Sequence, residues 1–448
     1  MSFPRYERYK DSGIEWLGEV PEHWEISRLG FESWVRARLG WKGLKAEEYV
    51  DDGFVFLATP NIKGLNIDFE NVNFINEYRY NESPEIQLRV GDVLLAKDGS
   101  TLGTVNIVRS LPRPTTVNSS IAVITPNKTL KGVYLYYLFQ SSYMENTIQR
   151  IKGGMGVPHL FQEDLNKFYI PLPPIENQSI IVAFLDIETA KIDALIAEQQ
   201  RLIELLKEKR QAVISHTVTK GLNPNASMKD SGIEWLGEVP EHWDVSQSRR
   251  MFAVRSEPAL ATDQMLTASQ KYGVLFQSDF VELEGRRVVE VIMGVKSLKH
   301  VEPDDFIISM RSFQGGIEWC KLRGSTSFHY VMLRPVKYVY PPFFAHLFKS
   351  ITYIQALRTT TDLIRDGQEL RYSNFTQVDL PIVPIEEQKQ IAAYLDEKLE
   401  ELDTLAKEAT FAITFLQERR AALISAAVTG KIDVRGLVET QPEREAAA

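Results

Sequence analysis

The sequence lacks several features on which common protein classes depend. Its single cysteine, Cys320, allows neither an internal disulfide nor a cysteine-based zinc site. No apolar run approaches the roughly 18 residues of a membrane span, and the N-terminus, MSFPRYERYK, has no apolar signal-peptide core. With 44% hydrophobic and 25% charged residues, the 448-residue chain is predicted to be a cytoplasmic protein with several globular cores.

Sequence motifs of enzymes are also scarce. No GxxxxGK[S/T] loop occurs, which argues against nucleotide hydrolysis. An adenine methyltransferase needs an Asp/Asn-Pro-Pro-aromatic loop to hold the target base. The nearest segment, Tyr340–Phe343, begins with a tyrosine that offers no amide or carboxylate, and it is interpreted as a turn before a helix.

A clear excess of basic charge is missing as well, since the net charge is −9. The acidic surplus is unevenly distributed. Residues 30–170 contain 15 Lys and Arg against 15 Asp and Glu, and residues 247–380 contain 17 against 14. These two blocks therefore have net charges of 0 and +3, which permits contact with nucleic acid without requiring it.

What the sequence does contain is an internal duplication. The 15 residues Lys10–Trp24, KDSGIEWLGEVPEHW, recur unchanged at Lys229–Trp243. Further on, Pro171–Thr219 aligns without gaps to Pro381–Thr429, at an offset of 210. This period is far too long for a solenoid. The repeated unit is therefore a whole assembly of a short leader, a large block and a long helix.

The two large blocks, 25–170 and 244–380, share only a thin skeleton. Asp92 and Asp305 each precede an apolar run, and a glycine follows eleven residues later, at Gly103 or Gly316. Short runs rich in Val, Ile and Phe predict strands, and two apolar stretches predict helices. The predicted strands are Phe54–Ala58, Val93–Lys97, Thr104–Val108, Ile121–Ile124, Phe306–Met310 and Val331–Leu333, and the predicted helices cover Tyr134–Phe139 and Phe343–Phe348.

After each block an apolar seam with heptad spacing predicts a helix of about 40 residues, or roughly 60 Å. Prolines precede both helices, as is common at helix starts. The two helices could pack on their own blocks, or pair antiparallel and set the blocks at a fixed distance. The seam residues are Ile181, Leu185, Ile192, Leu195, Leu202, Leu206, Val213, Ile391, Leu395, Leu402, Leu405, Ala412, Leu416 and Leu423.

Together these features resemble the specificity subunit of type I restriction–modification systems. The resemblance rests on the two leaders and on the helix starts IPLPPIENQ (Ile170–Gln178) and LPIVPIEEQ (Leu380–Gln388). The helix ends, Lys209–Ala212 and Arg419–Ala422, match too. So do VGDVL at Val90–Leu94 and VEPDD at Val301–Asp305, which resemble strand starts of that family's target-recognition domains.

The resemblance implies an α+β chain with two pseudo-repeated target-recognition domains, separated by two long helices that form an antiparallel coiled coil. It divides the chain into 1–170 (leader and first domain), 171–226 (central helix and linker), 227–380 (second leader and domain) and 381–448 (C-terminal helix and tail). Each domain would read half of a split double-stranded DNA target. The helices would set the spacer and dock two methyltransferase subunits.

The same resemblance implies that this chain is not itself an enzyme. S-adenosylmethionine and ATP with magnesium would bind partner subunits, namely the adenine methyltransferase and a restriction and translocation subunit, and no cofactor or metal would bind here. Two alternatives stay open at this point. One is a coiled-coil scaffold that binds proteins without DNA, and the other is a self-contained restriction and methylation enzyme.

Polar and basic residues in the loops of the two blocks are candidate DNA contacts, because Arg and Lys pair with guanine or phosphate while Asn and Gln suit adenine. Lys97 and Arg311, at equivalent strand ends, are the leading candidates. The full set is Lys42, Lys45, Lys63, Arg79, Lys97, Ser100, Asn118, Lys152, His159, Arg255, Gln270, Lys271, Arg286, Arg287, Arg311, Gln314, His329, Arg365 and Arg371.

Three weaker patterns are better explained by structure than by chemistry. Asp379, Glu387 and Lys389 have the order of a nuclease site, but a solvated helix start is favoured. His23 and His242 recur beside tryptophans without metal-ligand companions, so packing or capping is favoured. The glycines of Gly153–Gly156 could cradle a DNA phosphate, and a flexible turn is an equal alternative.

Overall fold

The computed structural model describes residues 3–38, 44–152, 158–285, 298–309, 312–360 and 370–438. The chain divides into two compact units. Unit 1 comprises residues 1–199 and 411–448, and unit 2 comprises residues 200–410. The boundaries cut through both long helices, so each unit contains a part of each helix.

Unit 1 contains a leader hairpin, two four-stranded sheets and several short helices before the first long helix. Its strands are β1 (Tyr9–Asp11), β2 (Glu19–Pro21), β3 (Glu25–Arg28), β4 (Ser33–Arg36), β5 (Tyr49–Val50), β6 (Phe54–Leu57), β7 (Asn73–Ile75), β8 (Val93–Ala96), β9 (Val105–Ile107), β10 (Thr115–Val117), β11 (Ile121–Pro126) and β12 (Tyr169–Leu172). Its helices are α1 (Leu29–Glu32), α2 (Glu77–Asn81), α3 (Gly132–Phe139), α4 (Ser142–Ile151), α5 (Gln162–Asn166) and the first part of α6 (Ile175–Lys220).

The central sheet of unit 1 is antiparallel and has the order β4-β11-β8-β9. Its strand β8 is apolar throughout because both faces of the sheet are covered. Val93 and Leu95 belong to the core that contains α3 and α4, whereas Leu94 and Ala96 belong to the core beneath β6 and β10. The outer sheet has the order β10-β6-β7-β5.

The leader of unit 1 packs against the end of the second long helix. Trp24 is completely buried, as is Val20. Gly430 has a positive φ of 74°, and a side chain there would collide with Pro21 and Trp24. The leader sequence is thus required for internal packing at the point where the helix ends.

Within unit 1 the two long helices run antiparallel. Arg420 forms an ion pair with Asp193, with 2.9 Å between Nε and Oδ1. The hydroxyl of Tyr134 donates to the carbonyl of Pro171, just before the first helix, or of Val428, at the end of the second. The start of one helix therefore lies beside the end of the other.

Unit 2 repeats the leader hairpin, the central sheet and the helical layer. Its strands are β13 (Met228–Asp230), β14 (Glu238–Pro240), β15 (Asp244–Ser246), β16 (Phe252–Arg255), β17 (Leu266–Ser269), β18 (Gly273–Phe276), β19 (Lys299–Val301), β20 (Phe306–Ile308), β21 (Glu318–Trp319), β22 (Gly324–Thr326), β23 (Val331–Pro335) and β24 (Leu380–Ile382). Its helices are α7 (Ser248–Met251), α8 (Gln277–Glu284), α9 (Ser312–Gly315), α10 (Pro341–Leu347), α11 (Ile351–Thr359), α12 (Tyr372–Phe375) and most of α13 (Ile385–Val428), together with the second part of α6.

The central sheet of unit 2 has the order β16-β23-β20-β21, which matches β4-β11-β8-β9 strand for strand. The outer parts differ, because unit 2 has the separate pairs β17-β18 and β19-β22 in place of the outer sheet of unit 1. The two blocks therefore share a fold and differ at their periphery, as the sequence skeleton predicted.

A buried glutamine joins each long helix to its block in the same way. Gln178 accepts a hydrogen bond from the amide of Lys131 and donates to the carbonyls of Thr129 and Pro173. Gln388 makes the equivalent bonds to Tyr340, Tyr338 and Val383 in unit 2. These contacts explain why glutamine recurs at the start of both helices.

The predicted helical seam is partly buried. In unit 1 Ile181, Leu185 and Ile192 lie in the core, whereas Leu195 is 45% exposed. In unit 2 Leu405, the counterpart of Leu195, is 41% exposed. The other seam positions range from buried to exposed: Leu206, Ile391, Leu395 and Leu402 are buried, Val213 is half-buried and Leu202 is exposed in unit 2, while Leu423 is buried and Ala412 and Leu416 are half-buried in unit 1. Across the described ranges, no helix is long and apolar enough to cross a membrane.

Candidate nucleic-acid interface

A buried ion pair fixes the central strand of each block. In unit 1 the carboxylate of Asp92 lies 2.8 Å from the guanidinium of Arg36, and both side chains are buried. In unit 2 Asp305 pairs with Arg255 at 2.6 Å. Burial raises the pKa of Asp305, although its hydrogen bond with Arg255 opposes that change. The guanidinium of Arg255, a candidate DNA contact, is thus engaged inside the block.

The loop that follows β8 is held against a second segment of unit 1. The amide of Lys97 donates to the carbonyl of Ser120, and its own carbonyl accepts from the amide of Leu160. The amide of Gly99 donates to the carbonyl of Pro158. Asp98 and His159 form a short bridge between the two segments. Main-chain bonds therefore fix the position of this strand end.

Four predicted contact residues and Asp98 lie around this strand end. We call this group the β8 cluster, and it consists of Lys97, Asp98, Ser100, Asn118 and His159. The carboxylate of Asp98 contacts Nδ1 of the His159 ring and lies 3.4 Å from the Lys97 ammonium. The main-chain N–H of Asn118 donates to the carbonyl of Leu57, at the end of β6. Ser100 is exposed.

An exposed aromatic ring adjoins the β8 cluster. Phe161 is 58% exposed, and its ring meets that of His159 edge to face, at 4.4 Å between centroids. Polar groups that can accept and donate hydrogen bonds thus stand beside an apolar surface. This combination suits the edges of bases, including the thymine methyl group.

The other candidates of unit 1 lie outside this cluster. Lys45, Lys63 and Lys152 are exposed. Arg79 is engaged by Glu48 and Glu82. Lys42 lies outside the described residues, as does the Gly153–Gly156 segment.

In unit 2 two candidate glutamines share one cleft. Gln270 and Gln314 line a cavity of about 490 Å³ together with Arg210 and His346. A side chain at Gly315 would collide with Gln270. This glycine allows the loop after β20 to approach the end of β17.

The remaining candidates of unit 2 that the structure describes lie at its surface. His329 and Arg371 are exposed, and the ring of His329 lies 3.8 Å from that of Phe328. Lys271 pairs with Glu284 at 3.3 Å. Arg286, Arg287, Arg311 and Arg365 lie outside the described residues.

The histidines near the end of each leader have structural contacts. His242 lies 2.8 Å from Glu387, which also accepts a hydrogen bond from Trp243. His23 lies 3.0 Å from Asn177, at the equivalent position of unit 1. The possible nuclease residue Glu387 therefore fastens the leader to the helix. Within the described part of the chain, no group of His, Cys, Asp or Glu is arranged to hold a metal ion.

Sequence reasoning missed two charged residues that the structure places at central positions. Arg36 could have been found by applying the leader offset of 219 to Arg255, since both end the first strand of the central sheet. Asp98 directly follows Lys97, and its negative charge concealed it from a search for basic contacts. Its relevance emerges only from its neighbours in space.

The structure contains two pseudo-repeated α/β blocks. Each block is followed by a long helix and has its own polar loops at equivalent strand ends. This arrangement defines a duplicated recognition protein. The sequence model of the family described as type I restriction modification DNA specificity domain matches residues 37–205. The putative type I restriction enzyme MjaX specificity subunit of Methanocaldococcus jannaschii is 24% identical over 449 residues, covering 97% of this chain and 99% of that protein.

Solved structures agree in fold. A chain from a study of complex assembly and conformational transition of the type I R-M system has a TM-score of 0.67 at 16% identity, covering 94% of this chain and 99% of its own. The HsdS subunit of Thermoanaerobacter tengcongensis has a TM-score of 0.50 at 17% identity, covering 92% and 98%. These comparisons show that the chain is similar, over nearly its whole length, to a specificity subunit of a type I restriction enzyme.

Proposed function

We propose that this chain gives a type I restriction–modification complex its DNA sequence specificity, with each block reading one half of a split target. The observation that carries the proposal is the pair of central sheets, which have the same strand order but different loops at equivalent ends. A common scaffold with different loops suits two unlike half-sites, because direct readout depends on side chains at base edges.

The chemistry of the two blocks supports unlike half-sites. The β8 cluster of unit 1 combines an ammonium, a carboxylate and an imidazole. The cleft of unit 2 presents two glutamines. Carboxylates accept from amino groups of bases, whereas glutamine both donates and accepts and suits adenine.

The similarity to type I restriction enzyme specificity subunits supports a complex of this chain with DNA and other subunits of such a system. In our proposal two methyltransferase subunits dock on the long helices, restriction and translocation subunits join the full complex, and the complex acts in the cytoplasm. S-adenosylmethionine and ATP with magnesium would be bound by those partners. The exposed apolar residues Leu195 and Leu405 offer equivalent contact points for two copies of one partner.

Mapping of methylated bases tests the proposal. Cells that express the full chain with its methyltransferase subunit should methylate adenine within one split sequence, and cells that lack only this chain should not. Absence of such a motif, with all subunits present, would contradict the proposal. Saturable binding of the partner-loaded chain to DNA of that sequence, but not to a scrambled duplex, would exclude the alternative of a protein-binding scaffold.

A further inference from the structure

The β8 cluster contains a carboxylate where cations were expected. Asp98 stands directly after the central strand β8, and 28% of its side chain is exposed. Its Oδ1 meets the ring of His159, while its Oδ2 lies 3.4 Å from the Lys97 ammonium. Lys97 and His159 were both candidate DNA contacts, so the carboxylate lies between two residues that are expected to face DNA.

Asp92, at the other end of the same strand, shows by contrast that the hydrogen-bonding capacity of the Asp98 carboxylate is not fully taken by contacts within the fold. The Asp92 side chain is fully buried, and its oxygens are engaged by Arg36, Thr125 and the amide of Arg89. Asp98 has two side-chain neighbours and keeps an exposed edge. It can therefore accept a further hydrogen bond from a ligand.

A carboxylate close to DNA is repelled by phosphates, so its presence needs a compensating interaction. Lys97 and His159 reduce this repulsion because a cation and a potential cation flank the negative charge. A carboxylate only accepts hydrogen bonds. In the major groove the donors are the exocyclic amino groups, N4 of cytosine and N6 of adenine.

We infer that Asp98 is a specificity-determining residue that accepts a hydrogen bond from the exocyclic amino group of one base in the half-site of the first block. The inference rests on the proposed function. Lys97 and His159 are positioning residues for this carboxylate. Lys97 can also donate to the carbonyl oxygen of the paired base, since that acceptor lies beside the amino group.

Methylated-motif mapping with Asp98→Asn provides the first test. An amide at this position both donates and accepts, so one base of one half-site should lose its strict preference, while the other half-site and the spacer stay unchanged. Asp52→Asn is the matched control, because Asp52 is an exposed carboxylate of the same unit that pairs with Arg113. The control removes the same charge and should leave the motif intact.

Duplexes that lack one amino group provide the second test and do not depend on a single variant. Removing the amino group from the recognised cytosine or adenine should weaken binding by the partner-loaded wild-type chain about tenfold or more. Binding by Asp98→Ala should be indifferent to that removal. The base whose modification matters identifies the source as cytosine or adenine.

The outcomes are distinct. An unchanged motif with Asp98→Asn, or equal sensitivity of Asp98→Ala to removal of the amino group, would overturn the inference while leaving the proposed function intact. If the wild-type complex methylated no split sequence at all, the proposed function itself would fail. If Asp98→Asn abolished methylation, the measurements on modified duplexes with wild-type protein would still decide, because sensitivity at no position of the half-site would refute the role of Asp98.

Discussion

At the scale of single residues, His300 places a titratable group inside the second block. Its Nδ1 lies 2.7 Å from Asp263 and its Nε2 lies 2.8 Å from Glu302. Both carboxylates only accept, so both ring nitrogens must carry protons when these bonds form. Burial opposes the charged imidazolium, but the two hydrogen bonds outweigh it and raise the pKa of His300.

We predict a decrease in the stability of unit 2 as the pH rises. A folded-state pKa above the unfolded value of about 6.5 means that the stabilisation is complete below that pH and is lost as the pH rises through the folded pKa. Denaturant unfolding between pH 5.5 and 8.5 measures this loss. In His300→Gln the decrease should be smaller over that interval, and an equal decrease in both proteins would contradict the assignment.

The residue scale also shows what the sequence could not provide. The skeleton correctly singled out Asp92 and Asp305, because each precedes an apolar strand. Their partners, Arg36 and Arg255, lie 56 and 50 positions away along the chain, and spacing alone does not reveal such contacts. Asp98 escaped notice for the same reason, since its neighbour His159 is brought to it by the fold.

At the scale of elements, equivalent ion pairs on the long helices differ in burial. The side chain of Arg420, which pairs with Asp193, is 19% exposed, and it also donates to Gln140 at 3.0 Å. Its counterpart Arg210, which pairs with Asp403, is 36% exposed. Because solvent screens exposed charges, the pair in unit 1 should contribute more.

We therefore predict that Arg420→Met lowers the free energy of unfolding by about 1–2 kcal/mol, between the values typical of exposed and buried pairs. Arg210→Met is the matched control and should cost less than about 1 kcal/mol. Denaturant unfolding of the full chain compares the two. A larger loss with Arg210→Met than with Arg420→Met would contradict the ranking.

The regular elements that the sequence predicted have local patterns. The strands at Val93 and Ile121 and both long helices were found within a few residues, since apolar runs and heptad spacing need no knowledge of the fold. In the outer sheet of unit 1 only β6 was predicted, as Phe54–Ala58. The leader hairpins and the other strands of that sheet, β5, β7 and β10, were missed, because they are short and their pairing is set by tertiary contacts. The exposure of Leu195 and Leu405 was equally invisible to periodicity.

The structure also changes the interpretation of the repeated frame. Identity between the leaders and between the helix starts would be expected if the repeated frame formed docking surfaces for two copies of one partner. Trp24, Trp243, Gln178 and Gln388 are all fully buried and make contacts within the chain. Much of the identity is therefore explained by internal packing, and a search for partner contacts should concentrate on the exposed residues of the helices.

At the scale of the whole molecule, the proposed role of the helices can be tested by changing their length. Four residues inserted after Gln199 add about 6 Å of helix. The recognised spacer should lengthen by about two base pairs, at 3.4 Å each, and both half-sites should be retained. Mapping of methylated bases reads out spacer and half-sites together.

Replacing residues 200–203 by alanine is the control for the insertion, because it alters the same region at constant length. That variant should keep the wild-type spacer. An insertion variant that methylates the original spacer, or one whose half-site bases change, would contradict the idea that helix length sets the separation.

The division of unit 1 between two distant stretches of sequence has a kinetic consequence. Unit 2 is one continuous segment, 200–410, whereas unit 1 needs residues 411–438 to cover Trp24 and the first long helix. Because a chain emerges from the ribosome N-terminus first, the contacts that span more than 400 residues form last and carry the largest entropic cost of closure. The first block to be synthesised is thus the last to be completed, and until then the apolar surfaces that residues 411–438 cover stay open to solvent.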